Sequence, residues 1–439
     1  MSSAQDFVHR YYDHLMESQY WPRERIVAEQ REFLEQLIRH ARRHVPFYAS
    51  RLDMLFTPRG EIDWDRWSEL PILTRKDVVE NNEALLSTDL PANHGPTRES
   101  YTSGSTGEPL RVVSSHLSNR VLQAATHRSR AWFRLDPRRD MMAWIGDDAA
   151  VASLPNGSAG RAWGPGWDAN ATGIMVTLNR NNTPDQVLEF IARKGFGYLI
   201  ARPDAAASLA TEALRGDWNI KLEGILTYST EARPDERKDC LNAFGAPLIV
   251  PYSAKEGQFM AHQCPSGTHL HINDELVLVE IVDEDGAPCA PGELGRVVVT
   301  PIYNFAQPLL RYEQGDLAVA GEPCSCGRAL GVIDRIGGRT VHMFRMPDGR
   351  RISMGLSTQS LLDAFGARYW QMAQVEPLLI EVRYVPSREV PGDEAPVIHA
   401  IRARTHPDMQ VRFSRRADLH RPDGRKFIAD LYEVPEQMQ

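Results

Sequence analysis

From Met141 to Pro301 short apolar runs alternate with stretches of helical periodicity, and this alternation constrains the fold more than any other feature of the chain. GILTYST, APLIVPYS, ELVLVEIVD and GRVVVTP read as strands, being short, rich in β-branched residues and bounded by turn residues. Asp185–Lys194 and Pro234–Phe244 read as helices between them. Strands that alternate with helices predict an α/β organisation, with buried sheets flanked by helices. Upstream, Ile26, Phe33, Leu34, Leu37, Ile38 and Ala41 recur at helical spacing and predict an amphipathic helix over Arg25–Arg43, stopped by Pro46. Leu117–Phe133 reads as another helix, and Thr74 followed by Asp77 reads as a helix start. After Gly337–Gly338 the character changes. PLLIEVRYV and PVIHAIRA read as strands of a smaller unit, separated by the polar linker Ser387–Glu394. The expected organisation is a large N-terminal domain over residues 1–336 and a small α+β C-terminal domain over 337–439.

Composition narrows the function classes. A chain of 439 residues buries a large core without disulfides. Its net charge of −8 excludes a general nucleic-acid binder, which needs a basic face, but leaves room for a local basic phosphate pocket. No apolar run approaches the ~20 residues needed to span a bilayer, so no membrane association is expected. The start, MSSAQDFVHRYYDHLMES, is polar and mixed in charge, and no leader peptide is expected. Five cysteines are too few for a disulfide framework and leave at least one free thiol, which points to a reducing cytoplasm. Arginine is the default cation: lysine occurs only at positions 76, 194, 221, 238, 255 and 426. A lysine kept at a motif position is therefore informative.

The sharpest local signal is YTSGSTGEPL, Tyr101–Leu110. Gly104 and Gly107 let backbone amides turn inward and approach an anion, and Ser103, Ser105 and Thr106 add hydroxyl donors. Such a loop suits the β- and γ-phosphates of ATP. It is not a Walker loop, since no Gly-Lys-Ser/Thr ends it, and taken alone it reads equally well as a polar surface loop.

The loop does not stand alone. TSGSTG, YSAKEG, RYEQGD and GGR, in that order, resemble the adenylate-forming superfamily. ARRHVPFY, ELPILTRKDV, CPSGTHLH and CSCGRAL make the chain similar to its phenylacetate–coenzyme A ligase-like branch. The resemblance runs from about Ala28 to Arg339 and less firmly beyond. It implies that Ser103, Gly104, Ser105, Thr106 and Gly107 cradle the ATP phosphates, with Thr106 close to the chemistry. It implies that Thr230 and Glu231 line the adenine pocket, that Tyr252 stacks near adenine, and that Glu256 holds Mg²⁺. Asp316 would accept hydrogen bonds from the ribose hydroxyls, and Arg311 and Arg339 would lie near the phosphates and the hinge. Lys426, in DGRKFIAD, matches the catalytic lysine of the small domain, and its retention in an Arg-preferring chain supports that role; an exposed turn lysine is the alternative. The chemistry agrees: charge that builds as an oxyacid attacks the α-phosphorus is stabilised by a metal and fixed donors, and a carboxylate is a hard ligand suited to magnesium.

Cys264, His271, Cys324 and Cys326 form a candidate metal set, since three thiolates and an imidazole suit a closed tetrahedral Zn²⁺ site. The C-x-C pair is tighter than finger spacing, and reduced cysteines without metal are the alternative. The resemblance supports zinc, because part of the branch carries a Cys and a His in the first element and CxCGR in the second. His271 rather than His269 matches, by its distance from the strand at Val279–Ile281.

Three positions depart from the family pattern. Glu108 replaces a lysine that often follows the phosphate loop, and Lys255 stands where Thr commonly precedes the magnesium glutamate. Thr340, Val341, His342 and Met343 replace an acidic hinge after Gly338–Arg339, which puts the second half-reaction in doubt. Trp163–Trp167, followed by Asp168–Gly173, reads either as the lining of a flat aromatic-acid pocket or as a packed loop. The function implied is ATP-dependent activation of a carboxylic, most simply aromatic, acid as acyl-AMP with release of pyrophosphate, then transfer to coenzyme A. An adenylating ligase with another acceptor (an amine, a carrier protein, or a target of AMP itself) stays open. So does a catalytically silent nucleotide-binding sensor or scaffold. The expected state is a monomer or homodimer.

Overall fold

The structure, a computed structural model, describes residues 3–102, 109–144, 157–168, 170–179, 182–339, 343–352, 365–386, 389, 391–417, 419 and 430–435. Contacts group the chain into two units. The larger comprises Met1–Gly104, Glu108–Gln314 and Val319–Arg335; the smaller is chiefly Ile336–Gln439, with Gly315–Ala318.

The larger unit opens with α1 (Ser3–Ser18) and α2 (Arg23–His44). On α2 Ile26, Leu34, Leu37, Ile38 and Ala41 of the expected apolar stripe are buried and Phe33 is half-buried, and Arg42, Arg43 and His44 in the last turn suit the negative end of the helix dipole. The short helix α3 (Arg75–Glu80) is fixed at its start by a reciprocal cap: Thr74 Oγ1 accepts from Asp77 N–H at 3.2 Å, and the Asp77 carboxylate accepts from Thr74 N–H at 2.9 Å. A hairpin of β1 (Thr97–Tyr101) and β2 (Arg111–Ser115) leads into α4 (His116–Trp132), capped by Ser115.

A six-stranded sheet follows, built from β3 (Met141–Trp144), β4 (Ser158–Ala162), β5 (Ile174–Leu178), β6 (Tyr198–Ala201), β7 (Gly224–Thr227) and β8 (Leu248–Ile249), in the order β4-β5-β3-β6-β7-β8. From β5 onward all neighbours are parallel. Parallel neighbours need crossovers, supplied by α5 (Pro184–Lys194), α6 (Pro203–Arg215) and α7 (Pro234–Phe244). Each of these helices starts with proline in its first turn, where the missing N–H costs nothing, and α5 and α7 end at left-handed glycines, Gly195 and Gly245. Helices and sheet bury Leu188, Phe190, Leu199, Leu209, Ile225 and Phe244 among others in one core.

The second large sheet has seven strands: β9 (Pro251–Ala254), β10 (Gln258–Gln263), β11 (Leu270–Ile272), β12 (Val277–Val282), β13 (Leu294–Pro301), β14 (Tyr312–Ala320) and β15 (Val332–Arg339), in the order β12-β13-β14-β15-β11-β10-β9. A buried pair ties it to the first helices. Arg128 of α4 and Glu275, both essentially inaccessible, meet at 2.7 Å, and Ser18 of α1 donates to the same carboxylate at 2.6 Å.

In the smaller unit β16 (Phe344–Arg345) and β17 (Arg351–Ile352) form a short hairpin. A four-stranded sheet joins β18 (Ala367–Glu376), β19 (Leu379–Pro386), β20 (Gln410–Arg415) and β21 (Asp430–Tyr432) in the order β20-β19-β18-β21. PVIHAIRA, expected as a strand, is the helix α8 (Ala395–Arg404). The reason is topological and local. β19 and β20 pair in parallel and need a crossover between them, and Val397 and Ile401, one helical turn apart, enter the core beside Met372, Val382 and Met409.

Among the described residues no helix is long and apolar enough to cross a membrane.

Candidate functional site

The phosphate loop lies between the paired ends of β1 and β2. Tyr101 faces Arg111 as the last pair of the hairpin. Beyond it, Thr102 N–H donates to Leu110 O at 3.0 Å and Leu110 N–H donates to Thr102 Oγ1 at 2.9 Å. Thr102 and Leu110 therefore clamp the base of the loop. Ser103, Gly104, Ser105, Thr106 and Gly107, with Glu108, lie outside the described residues.

Glu256 sits in the tight turn between β9 and β10. The turn is formed by Lys255, Glu256 and Gly257, with Gln258 in the left-handed region at φ 59°. Gly257 is packed so closely that a Cβ there would fall 2.6 Å from Met260 Sδ and 3.1 Å from Gln314 Oε1. The turn exposes Lys255 and buries Glu256, whose side chain is 8% accessible. Its ionic partner is Arg75, the first residue of α3: Nη1 lies 3.6 Å from Glu256 Oε1. The same guanidinium places Nη2 3.5 Å from Thr102 Oγ1. One arginine thus lies between the buried carboxylate and the base of the loop. The position of α3 follows from its cap and from a strand-like contact just before it, where Leu73 N–H donates to Arg311 O and Glu313 N–H donates to Leu73 O, each at 2.9 Å. Gln314, buried above Gly257, has neither amide atom hydrogen-bonded among the described residues.

Tyr252 is buried on β9 opposite Ala261 of β10. Thr230 and Glu231 follow β7 on the loop at its carboxyl end, the side of an open parallel sheet where ligand crevices form. Ser229 in that loop has φ 82°, and the Glu231 carboxylate lies 3.5 Å from Arg237 of α7. Asp316 is buried on β14.

Arg311 differs from expectation. It is 1% exposed with φ 51°, which turns its side chain back into the protein. The guanidinium donates to Ser68 O and Leu70 O and pairs with the half-buried Glu280 at 3.3 Å. It anchors the segment before α3 instead of presenting itself to a phosphate. Arg339 ends β15, and Lys426 and the altered hinge residues Thr340, Val341 and His342 lie outside the described residues.

Trp163 and Trp167 belong to a packed loop. Trp163 is buried with Met141 and Tyr198, and its Nε1 donates to Arg139 O. Trp167 stacks on His9 and packs against Tyr12 and His127. Gly164 and Gly173 approach backbone so closely that a Cβ would lie 2.1 Å from Ala171 O and 2.2 Å from Arg139 O.

A separate cluster joins the loop after β10 to the segment before β15. One ligand atom from each of Cys264, His271, Cys324 and Cys326 lies within 4.8 Å of every other. Cys264 Sγ is 3.9 Å from Cys324 Sγ, and Cys326 Sγ is 3.2 Å from His271 Nε2. Sulfurs bound to one tetrahedral ion at ~2.3 Å stand ~3.8 Å apart, so donor set and spacing fit such a site. Burial, with help from His269, Arg328 and Arg128, holds His271 neutral with a pKa lowered to about 4, the form that ligates metal. His269, set aside in the sequence in favour of His271, also borders the cluster, with Nε2 3.0 Å from Cys324 Sγ. Sequence reasoning missed Arg75 and Gln314; the one signal for Arg75 was its place behind the capping threonine in ELPILTRKDV.

The fold is that of the adenylate-forming ligases. A 2-hydroxyisobutyryl-CoA ligase solved in the postadenylation state with 2-HIB-AMP matches 96% of this chain and 93% of its own, with TM-score 0.71 and 17% identity. The amide bond synthetase McbA from Marinactinospora thermotolerans matches 73% of this chain and 65% of its own, with TM-score 0.52 and 16% identity. In sequence the chain is a homologue of a phenylacetate–coenzyme A ligase from Thermus thermophilus, 27% identical over 331 residues that span 73% of this chain and 72% of that protein. No protein-family model matches the chain.

Proposed function

We propose that the chain is an ATP-dependent ligase that activates a carboxylic acid as acyl-AMP and then transfers the acyl group to coenzyme A. The observation that carries this reading is the convergence, within one unit, of the clamped loop base at Thr102, the buried carboxylate of Glu256 and the guanidinium between them. In the first step the acid's oxygen attacks the α-phosphorus of ATP, the bond to the β-phosphate oxygen breaks, and pyrophosphate leaves. Loop amides and hydroxyls at 103–107 hold the phosphates, Glu256 offers its oxygens to magnesium, Tyr252, Thr230 and Glu231 flank the adenine, and Asp316 accepts from the ribose. Magnesium, when bound, neutralises phosphate charge. Lys426 serves the developing charge near the acyl oxygen, and Arg339 lies at the hinge. In the second step a thiolate displaces AMP from the acyl carbon.

Pyrophosphate–ATP exchange measured across a panel of aromatic and aliphatic acids tests the first step. Acid-dependent exchange is expected, and a folded protein that exchanges with none would sink the reading. A second acceptor is favoured by one observation, the replacement of the acidic hinge by Thr340, Val341 and His342. An amine in place of coenzyme A then takes the acyl group, as the fold shared with an amide bond synthetase allows. Mass spectra of products from ATP, acid and either coenzyme A or amines separate the two.

The tetrahedral set Cys264, His271, Cys324 and Cys326 is proposed to hold structural zinc, because four protein donors leave no open position for substrate.

A further inference from the structure

We propose that Arg75 is a phosphate-binding residue that holds Glu256 in the nucleotide-free protein and passes to the β- and γ-phosphates of ATP when magnesium takes that carboxylate. The inference rests on the nucleotide reading above and adds to it a residue, a ligand group and an exchange of partners.

Three observations carry it. The Arg75–Glu256 contact is loose. At 3.6 Å it is well beyond the ~2.7–2.9 Å of a charge-assisted hydrogen bond, while Arg111 and Glu99 meet at 2.6 Å on the neighbouring hairpin. A better partner can displace such a pair. Next, the two ends differ in access. The Arg75 side chain is 33% exposed and its carboxylate partner 8%, so the guanidinium is the accessible end of the pair, and it also reaches Thr102 at the loop base. Finally, Gln314 is 5% exposed, its Oε1 sits over Gly257, and among the described residues neither amide atom has a hydrogen-bond partner. Leaving a buried amide unpaired is costly, which marks the space beside the Glu256 turn as one built to receive a polar group.

The backbone under Arg75 is rigid, through the Thr74–Asp77 cap and the Leu73 bonds to Arg311 and Glu313, so only the side chain has to move. A planar fork suits phosphate oxygens better than an ammonium does.

The test is calorimetric binding of ATP and of AMP, with magnesium, to wild type, R75Q and R75K, with thermal melting as a check of folding. AMP lacks the phosphates assigned to Arg75. R75Q is expected to lose about tenfold or more in ATP affinity, ~1.4 kcal/mol, with AMP affinity nearly unchanged and R75K between the two. In EDTA, E256Q is expected to bind ATP more tightly than wild type, because the carboxylate that competes for Arg75 is neutralised while Arg75 keeps its contact with Thr102, and R75Q/E256Q is expected to lose that gain. Unchanged ATP affinity in folded R75Q, or equal losses for ATP and AMP, would overturn the assignment. Should R75Q not fold, the same ATP–AMP contrast in R75K decides. Wild-type protein that binds neither nucleotide would sink the nucleotide reading itself, a result distinct from either of these.

Discussion

Two residues of the recognised motifs show how differently a motif residue can be used. Glu256 is held in a turn that buries it beside the Arg75 guanidinium, and its proposed role is to offer that charge to a metal. E256Q keeps shape and removes that charge. Acid-dependent pyrophosphate exchange is expected to fall by about 10²–10³, the range for losing one fixed electrostatic contact, with little change in melting temperature. Arg311, five residues before Asp316, is the opposite case. Its guanidinium is enclosed with Glu280, whose carboxyl is pushed up by burial and pulled back by Arg311. R311M leaves that acid without its partner and is expected to destabilise the larger unit by about 3–5 kcal/mol in urea titrations. The motif RYEQGD was legible in the sequence, but the left-handed backbone at Arg311 that reverses its side chain was not, since no residue type there signals positive φ. Arg75 was equally hidden: its partner Glu256 is remote in sequence, and only the placement of α3 brings them together.

At the scale of elements, periodicity located most helices of the larger unit, which carry clear caps, but of its strands only those read as apolar runs, at β7, β8–β9, β12 and β13. Pro234–Phe244 matches its predicted range, and Arg25–Arg43 falls within α2. PVIHAIRA failed because eight residues with apolar positions at both spacings fit a strand or a helix equally, and the parallel pairing of β19 and β20 decides between them. The cysteine–histidine cluster is a property of elements too. It links the loop after β10, β11 itself and the segment leading into β15, and β11 pairs with β15 over only two residue pairs, so few backbone bonds hold this corner. An ion that binds only the folded form stabilises by ~4 kcal/mol when present at a thousand times its dissociation constant. Chelation, or C326S, is therefore expected to lower the melting temperature by on the order of 10 °C. Elemental analysis of untreated protein is expected to give about one zinc per chain, as a single four-donor site requires. A chelator that changes neither the metal content nor the melting temperature would contradict the site.

For the whole molecule, pH response is a sum of opposing groups, and the signs can be assigned. Burial, followed by the charge of Arg130, lowers the pKa of His127 to about 4, and burial with neighbouring imidazoles lowers that of His40 to about 4. Below the unfolded value near 6.5 the unfolded chain takes up protons that these folded sites refuse. Each therefore contributes stability that is present at neutral pH and lost as pH falls towards about 4, by up to ~1.4 kcal/mol per pH unit. Glu236 on α7 acts in the other direction. Burial raises its pKa to about 7 against the pull of Arg233. The folded state then holds a proton the unfolded state has released, so this contribution is lost as pH rises from about 4.5 to about 7. The two trends overlap in the same window, and a wild-type profile alone would show only their difference. Variants separate them. Unfolding midpoints measured from pH 5 to 8 are expected to rise for H127Q relative to wild type as pH falls. For E236Q, which keeps an oxygen for the Arg233 N–H, they are expected to rise relative to wild type as pH increases, levelling off above about 7. Parallel profiles for all three proteins would mean that neither side chain is buried as the fold places it, and the packing of α4 against the Trp167 loop and of α7 against the parallel sheet would both need revision.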